Sequence, residues 1–481
     1  MNRIIFIIML VLGFMSFTEL FSQVNEFTHP SILSFEKNMD SIKAESASVL
    51  SISNQHFKHG KKSLHWQWHK SGDSFRVKQL IPYASHNQLN DNSVATFVFW
   101  LYAPRTYPNG KLILSFYKDS RLCAWFEYKL GFTGWSGAWI AFDRDMQGKP
   151  EEGMDELRVS VEGVNAGELY FDHLILSSFQ DVRYHTADFQ APYVNAGTTS
   201  HWLTLLDSWN KKFDITLPES ITDNHRQEMN IIQNRLIKTI TETSKPISLM
   251  KLQKRYKAYQ IHFNKDSTIT GLPVFFERYG ETYERMGAPR YNLLYNNEMG
   301  VSKLNKLLFD MAIAYRDNPD IKEREIIAGM FTNLTRHLLD QGFRAGSGMG
   351  TLHHLGYSMR HYYASAILMR DVLAQNQLDK PVQQAMEWFA GSGEVKTKPE
   401  MPGMDVDAFN TSLTGRLASI LMMKDTPEKV RYLQAFTRWV DNGLQYSDGT
   451  SGTFKIDGSV FHHRHNYPAY AVGGLEGAVN A

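Results

Sequence analysis

The chain has 481 residues, 21% of them charged and 13% aromatic, with a formal net charge of +1. That length suggests two to four domains, and the near-neutral balance supplies no global field to recruit nucleic acid or a membrane surface. The one cysteine, Cys123, excludes an intramolecular disulfide and a cysteine zinc site; beside Leu122, Ala124 and Trp125 it reads as a buried apolar residue. The many aromatics fit a carbohydrate binder, since sugar rings stack on flat apolar faces, but large β-domains are rich in aromatics too.

Arg3 precedes an apolar run from Ile4 to Phe17, and polar sequence follows Phe21-Ser22-Gln23. This pattern predicts a signal peptide over residues 1–22, and so an exported, secreted or periplasmic protein of bacterial type. Residues 25–180 read as β. Ser63 to Trp68 alternates polar and apolar side chains, and Thr96 to Tyr102 is a nearly continuous apolar run. Leu112–Tyr117, Trp125–Leu130, Trp139–Phe142, Leu157–Val161 and Leu169–Leu176 follow, divided by turns such as Pro108-Asn109-Gly110. Short strands at this spacing predict a β-sandwich, a fold that often binds glycans. Residues 181–222 read as a linker. From 223 the period becomes helical: Met229, Ile232, Leu236 and Ile240 share a face. Helices are expected near 301–317, 321–341, 359–376, 381–391, 407–423 and 427–444, with longer Gly-rich or polar gaps at 342–358 and 445–468. Stacked helical hairpins fit an incomplete α/α toroid over 223–481, whose long loops line a cleft. The stop at Ala481, inside what reads as another helix, suggests truncation.

Two constellations carry candidate chemistry. One is His353-His354-Leu355-Gly356-Tyr357-Ser358-Met359-Arg360, after a Gly-rich stretch. Neighbouring histidines serve one site only where the backbone is irregular, and here irregular backbone is expected; a structural pair is the alternative reading. The other runs from Asp457-Gly458 through His462-His463-Arg464-His465-Asn466-Tyr467 to Tyr470. A metal site there lacks the HExxH pattern, and no acidic residue lies between His462 and Tyr470. A solvated basic loop is the other reading.

At these residues the chain resembles the chondroitin sulfate ABC lyases of polysaccharide lyase family 8. The matches are Leu338-Leu339-Asp340-Gln341-Gly342-Phe343, His353-His354-x-Gly356-Tyr357-Ser358-x-Arg360, Phe409-Asn410-Thr411, and Asp457-Gly458 with His463 and Asn466-Tyr467-Pro468-x-Tyr470. The resemblance implies β-elimination at the uronate C5 of chondroitin and dermatan sulfate. Such chemistry needs a neutralised carboxylate, a base at C5 and an acid at the leaving oxygen. Tyr470 matches the proton-carrying tyrosine and His463 its histidine partner. His354 is assigned to the opposite face of the sugar, for the other C5 epimer. His353, Arg360, Arg464 and Asn466 would bind substrate. A phenol with pKa near ~10 is a poor base until cationic neighbours lower it. The family also uses an arginine and a glutamate well downstream of the positions present here. No cofactor is required for the chemistry; a structural divalent cation stays open, with no ligand set standing out. The expected partner is a sulfated glycosaminoglycan, with a monomeric protein, no nucleic acid and no membrane after signal removal.

Two other readings compete. One is a non-catalytic glycan-binding fragment. The other is a hydrolase, for which Asp405, Asp407 and Glu394 or Glu400 are the local carboxylate candidates.

Overall fold

The computed structural model describes residues 32–36, 39–78, 83, 93–181, 188–191, 205–277, 297–348, 352–462, 464–470, 473 and 475, with 93–94, 176–181, 205, 297 and 352–355 described by backbone alone. The expected signal segment lies outside these residues. The first part is built of twelve strands, all pairing antiparallel: β1 Ile32–Leu33, β2 Ile42–Glu45, β3 Val49–Ser53, β4 Ser63–Trp68, β5 Ser74–Val77, β6 Ser93–Ala103, β7 Lys111–Lys118, β8 Arg121–Lys129, β9 Gly134–Ala141, β10 Gln147–Gly148, β11 Glu156–Glu162 and β12 Gly167–Asp181. One sheet runs β3-β4-β12-β6-β9, with β1 also on β12; the other runs β10-β8-β7-β11-β5-β2. Between them lies an apolar core that includes Leu64, Trp66, Trp68, Phe97, Phe99, Leu101, Phe116 and Phe126. Cys123 is free and buried in the same core.

The alternation along β4 sends Leu64, Trp66 and Trp68 inward, as a strand covered on one face demands. β6 differs. Its Phe97, Phe99 and Leu101 enter the sandwich core, while Val98, Trp100 and Tyr102 enter a second core shared with the helices. That explains the unbroken apolar run: the strand is covered on both faces, and such strands lose the polar alternation. Trp135 and Trp139 of β9 join the outer set. Each of the three tryptophans there is at most 3% exposed, contributing roughly 4 kcal/mol of apolar burial apiece.

The helical part comprises α1 Asp223–Thr241, α2 Leu249–Lys257, α3 Val301–Asp317, α4 Ile321–Asp340, α5 Leu352–Leu368, α6 Asp379–Phe389, α7 Leu413–Leu421 and α8 Pro427–Gly443, with shorter turns at Leu205–Asn210 and Arg370–Gln375. The starts of α1 and α4 are capped: Thr222 accepts from the His225 amide in a capping box, and Asp320 accepts from the Lys322 and Glu323 amides. α3 lies against α4 and α5, α5 against α7, and α7 against α6 and α8. No helix among the described residues is long and apolar enough to cross a membrane.

Two local expectations change. α5 begins at Leu352 rather than near 359, so His353 and His354 fall in the first turn of a regular helix and not in irregular backbone. Gly356 and the Gly-rich stretch before it look like a loop in sequence. Gly356 instead lets α5 approach Thr411, whose Cβ would lie 3.2 Å from an added side-chain carbon. α2 is a helix outside the six expected spans.

The seam between sandwich and helices is polar at its centre. Lys58 is fully buried. Its Nζ donates to the carbonyls of Val274 (2.8 Å) and Gln341 (3.1 Å) and to Gln341 Oε1 (2.9 Å), and lies 4.5 Å from the Trp100 ring centre. The amides of Lys58 and His59 donate to Asp172 Oδ2 on β12. Tyr102 donates to Asp340 at the end of α4, 3.3 Å away.

Candidate functional site

Three segments meet around Tyr470. The first is α5. The second is the π-helical turn Ala408–Ser412 that runs into α7, a backbone irregularity often found at functional sites. The third is a hairpin in which Phe461–His462 pairs with His465–Asn466. Asp457 and Gly458 turn the chain before it: the Asp457 carboxylate accepts from the Ser459 amide at 2.9 Å, and Gly458 takes φ +81°, which favours glycine. The Asp-Gly motif is therefore a turn device.

Residues 403–407 are stitched beneath the hairpin. The amides of Gly403 and Met404 donate to the carbonyls of Asn442 and Gly443 at the end of α8, and the Thr453 amide donates to the Met404 carbonyl. Gly443 permits this contact, since a side-chain carbon there would clash with Met404 Cε at 1.6 Å. The stitching puts two carboxylates against His462. Its Nδ1 lies 3.2 Å from Asp405 Oδ2 and its Nε2 lies 3.9 Å from Asp407 Oδ2. His462 is 3% exposed. Its ring is 4.3 Å from that of Tyr470, tilted by 30°. Tyr470 itself is 37% exposed, and its ring also contacts Tyr467 at 4.9 Å.

Tyr357 extends the array. Its hydroxyl donates to Asp407 Oδ1 at 3.1 Å. Burial, and then the Asp407 charge, push the phenol up to about 12, with Tyr470 close enough to add to the effect; this tyrosine stays protonated as a donor. Arg360 stacks its guanidinium 4.6 Å from the Tyr357 ring centre and donates to the Asn410 carbonyl at 3.1 Å. A half-exposed phenol, a shielded imidazole between carboxylates and an exposed guanidinium thus share one face of the helical part.

Of the expected site residues, Tyr470 and Arg360 are brought to this face, one turn of α5 from Tyr357. Arg464 sits in the hairpin connection with φ +67°, and Asn466 on its second strand; both are exposed. His463 lies outside the described residues, and His353 and His354 are described by backbone only. Sequence reasoning overlooked His462 as a partner of Tyr470, and it left Asp405 and Asp407 without context. They precede His462 by 57 and 55 positions, so only the fold reveals the grouping. Adjacent pairs in the motif did carry one usable signal: Tyr357 and Arg360 share a helix face at i, i+3.

Asp405, Asp407 and His462 are also the residues suited to a cation, with ligand atoms within 4.8 Å of one another. No acidic residue lies between His462 and Tyr470 in sequence; the fold brings two carboxylates to the ring from positions 405 and 407. The imidazole lies between the two carboxylates, however, with a different nitrogen nearest each. That is the geometry of a hydrogen-bonded ring more than of ligands converging on one ion.

Comparison with known proteins gives the family of the chain. A family described as "Lyase, N terminal" matches residues 29–193, and one described as "Lyase, catalytic" matches residues 215–481. A chondroitin sulfate ABC exolyase of Bacteroides thetaiotaomicron is 40% identical over 98% of this chain and 46% of its own length. A chondroitin sulfate ABC exolyase of Proteus vulgaris is 30% identical, over 90% of this chain and 45% of its own length; an endolyase of the same organism is 26% identical, over 88% and 44%. The chain spans a little under half the length of each of these relatives. With the catalytic description covering over half of its residues, the chain belongs to the lyase family that these two descriptions define.

Proposed function

We propose that the chain is the N-terminal sandwich and the first part of an incomplete α/α toroid of an exported polysaccharide lyase that acts on chondroitin sulfate and dermatan sulfate. The relatives' names support the substrate class. The observation that carries the reading is Tyr470: half-exposed, backed by His462, and on the same face as Arg360. In the reaction a base takes the C5 proton of the uronate, the C4–O bond breaks, a C4=C5 double bond forms, and the leaving oxygen takes a proton. Tyr470 carries the proton, with His463 as its partner, and His354 serves the other epimer. Arg360, with His353, meets the uronate carboxylate, and hydrogen bonds aimed at the developing enolate lower the barrier. Arg464 and Asn466 hold the flanking sugar. No cofactor takes part in this proton transfer.

The sandwich reads as scaffold in this scheme. The aromatic outer face of its first sheet is covered by the helices. On the second sheet several cations have acidic neighbours: Lys111 with Glu127 and Glu162, Arg158 with Glu156, and Arg76 with Glu45. Cations paired in this way have less to offer a polyanion. The carboxylates Asp405 and Asp407 face His462 and Tyr357, which speaks against a hydrolase pair flanking a sugar.

The test is to incubate the full-length protein with each polysaccharide and follow the ultraviolet absorbance of the unsaturated uronate. Growth of that signal is expected on both. New reducing ends without it would replace elimination by hydrolysis, and binding without either product would replace it by a glycan-binding role.

A further inference from the structure

We propose that His462 is a positioning residue for Tyr470, held in place by Asp405, with the Asp407 carboxylate facing its other nitrogen. The proposal rests on the lyase reading above and adds residues to it. His462 is shielded from solvent, whereas Tyr470 above it is not. The two rings lie 4.3 Å apart at 30°, so the imidazole is the floor on which the phenol rests. That floor is itself held by Asp405 at Nδ1, with Asp407 facing Nε2. Asp407 is also tied to the Tyr357 hydroxyl and to its own turn: the Asp407 amide donates to Asp405 Oδ1 at 2.9 Å, and the Thr411 hydroxyl donates to the Asp407 carbonyl at 2.7 Å. The chain Thr411–Asp407–Asp405–His462–Tyr470 thus links the π-helical turn to the hairpin.

The chemical need is clear. A proton carrier must lie within hydrogen-bond reach of C5 and of the leaving oxygen. Tyr470 stands on a short exposed segment, where the backbone alone leaves the side chain free to choose among rotamers. A buried ring hydrogen-bonded to Asp405 and faced by Asp407 removes that freedom before substrate arrives, and preorganisation of this kind separates turnover from binding. His462 touches neither substrate nor reacting atoms in this scheme; it acts through Tyr470.

The experiment compares full-length wild type with His462→Ala, Asp405→Asn and Asp405→Glu, measuring kcat and KM on chondroitin sulfate and thermal midpoints for each. His462→Ala is expected to lower kcat about 100-fold while KM moves less than about threefold, because a misplaced reacting group costs roughly that much. Asp405→Asn should fall between His462→Ala and wild type, and Asp405→Glu should recover most of the loss. Asp405 is half-exposed at its side chain, so these two variants keep the fold. A kcat within about twofold of wild type in His462→Ala overturns the proposal and leaves the lyase reading standing. A lowered thermal midpoint with unchanged kcat overturns it also, since the ring would then be structural only. If the wild type itself forms no unsaturated product from either polysaccharide, it is the lyase reading that fails.

Discussion

Tyr470 and Tyr357 show how environment divides one residue type between two tasks. Tyr357 is locked as a donor to Asp407, and burial raises its phenol to about 12. Tyr470 is about as exposed as Tyr357, 37% against 41%; what sets it apart is the aromatic floor of His462 and Tyr467 on which it stands. The residue-scale prediction concerns the other candidate base. His354→Ala should slow turnover of dermatan sulfate at least about tenfold more than that of chondroitin sulfate, since general-base groups contribute two or more orders of magnitude. Parallel rate measurements on the two polymers check this, and equal losses would remove the assignment of His354 to one epimer. The resemblance singled out Tyr470 and Arg360 as candidates, whereas the segment around His462 read as a polar gap and not as a hairpin. The His462–Asp405 contact was not legible in sequence. Nothing local couples position 405 to position 462; the stitching of residues 403–404 to the end of α8 does so.

At the scale of elements, β6 and α4 carry the seam. β6 was legible as a strand from its apolar run, and its burial on both faces was implicit in the missing polar alternation. What covers the second face was not. α3, α4 and α8 were placed to within a residue or so because their amphipathic periods are long, with Asp320 capping α4 and Pro427 opening α8. The start of α5 was lost because glycine in a helix, required there by Thr411, reads locally as loop. Two predictions belong here. Lys58→Met should destabilise the protein by about 3 kcal/mol in denaturant unfolding, because three buried acceptors lose their donor while Asp172 and Asp340 lose their nearby cation. An unchanged midpoint and slope would show that the seam does not depend on this lysine. His337 of α4 is the second case. It donates from Nε2 to the Leu272 carbonyl at 2.8 Å, and burial, exceeding the upward pull of that carbonyl, pushes its pKa down to about 4. A histidine with a folded pKa below its unfolded value near 6.5 takes up protons preferentially when unfolded. Its penalty is absent above about pH 6.5, grows as pH falls, and is complete near pH 4. Relative to a His337→Gln variant, the wild type should therefore lose roughly 3 kcal/mol of stability between those limits. Unfolding curves measured across that range check the sign, and a constant difference would contradict it.

The whole molecule is a sandwich and a helical array sharing one apolar core. The sandwich is thereby tied to the scaffold that carries α5, the π-helical turn and the hairpin. Composition excluded a global electrostatic capture of polyanions; Arg360 and Arg464 lie on segments that meet around Tyr470, while several cations of the second sheet are paired with carboxylates. The central claim is that Tyr470 carries the proton in an elimination reaction. Its most direct test is the ultraviolet absorbance of unsaturated uronate formed by full-length wild type and by Tyr470→Phe, at equal concentrations of folded protein, on chondroitin sulfate and on dermatan sulfate. Product from the wild type is expected on both polymers, with a rate for Tyr470→Phe at least about 1,000-fold lower on both. A Tyr470→Phe protein that keeps more than about a tenth of the wild-type rate on either polymer would contradict that claim.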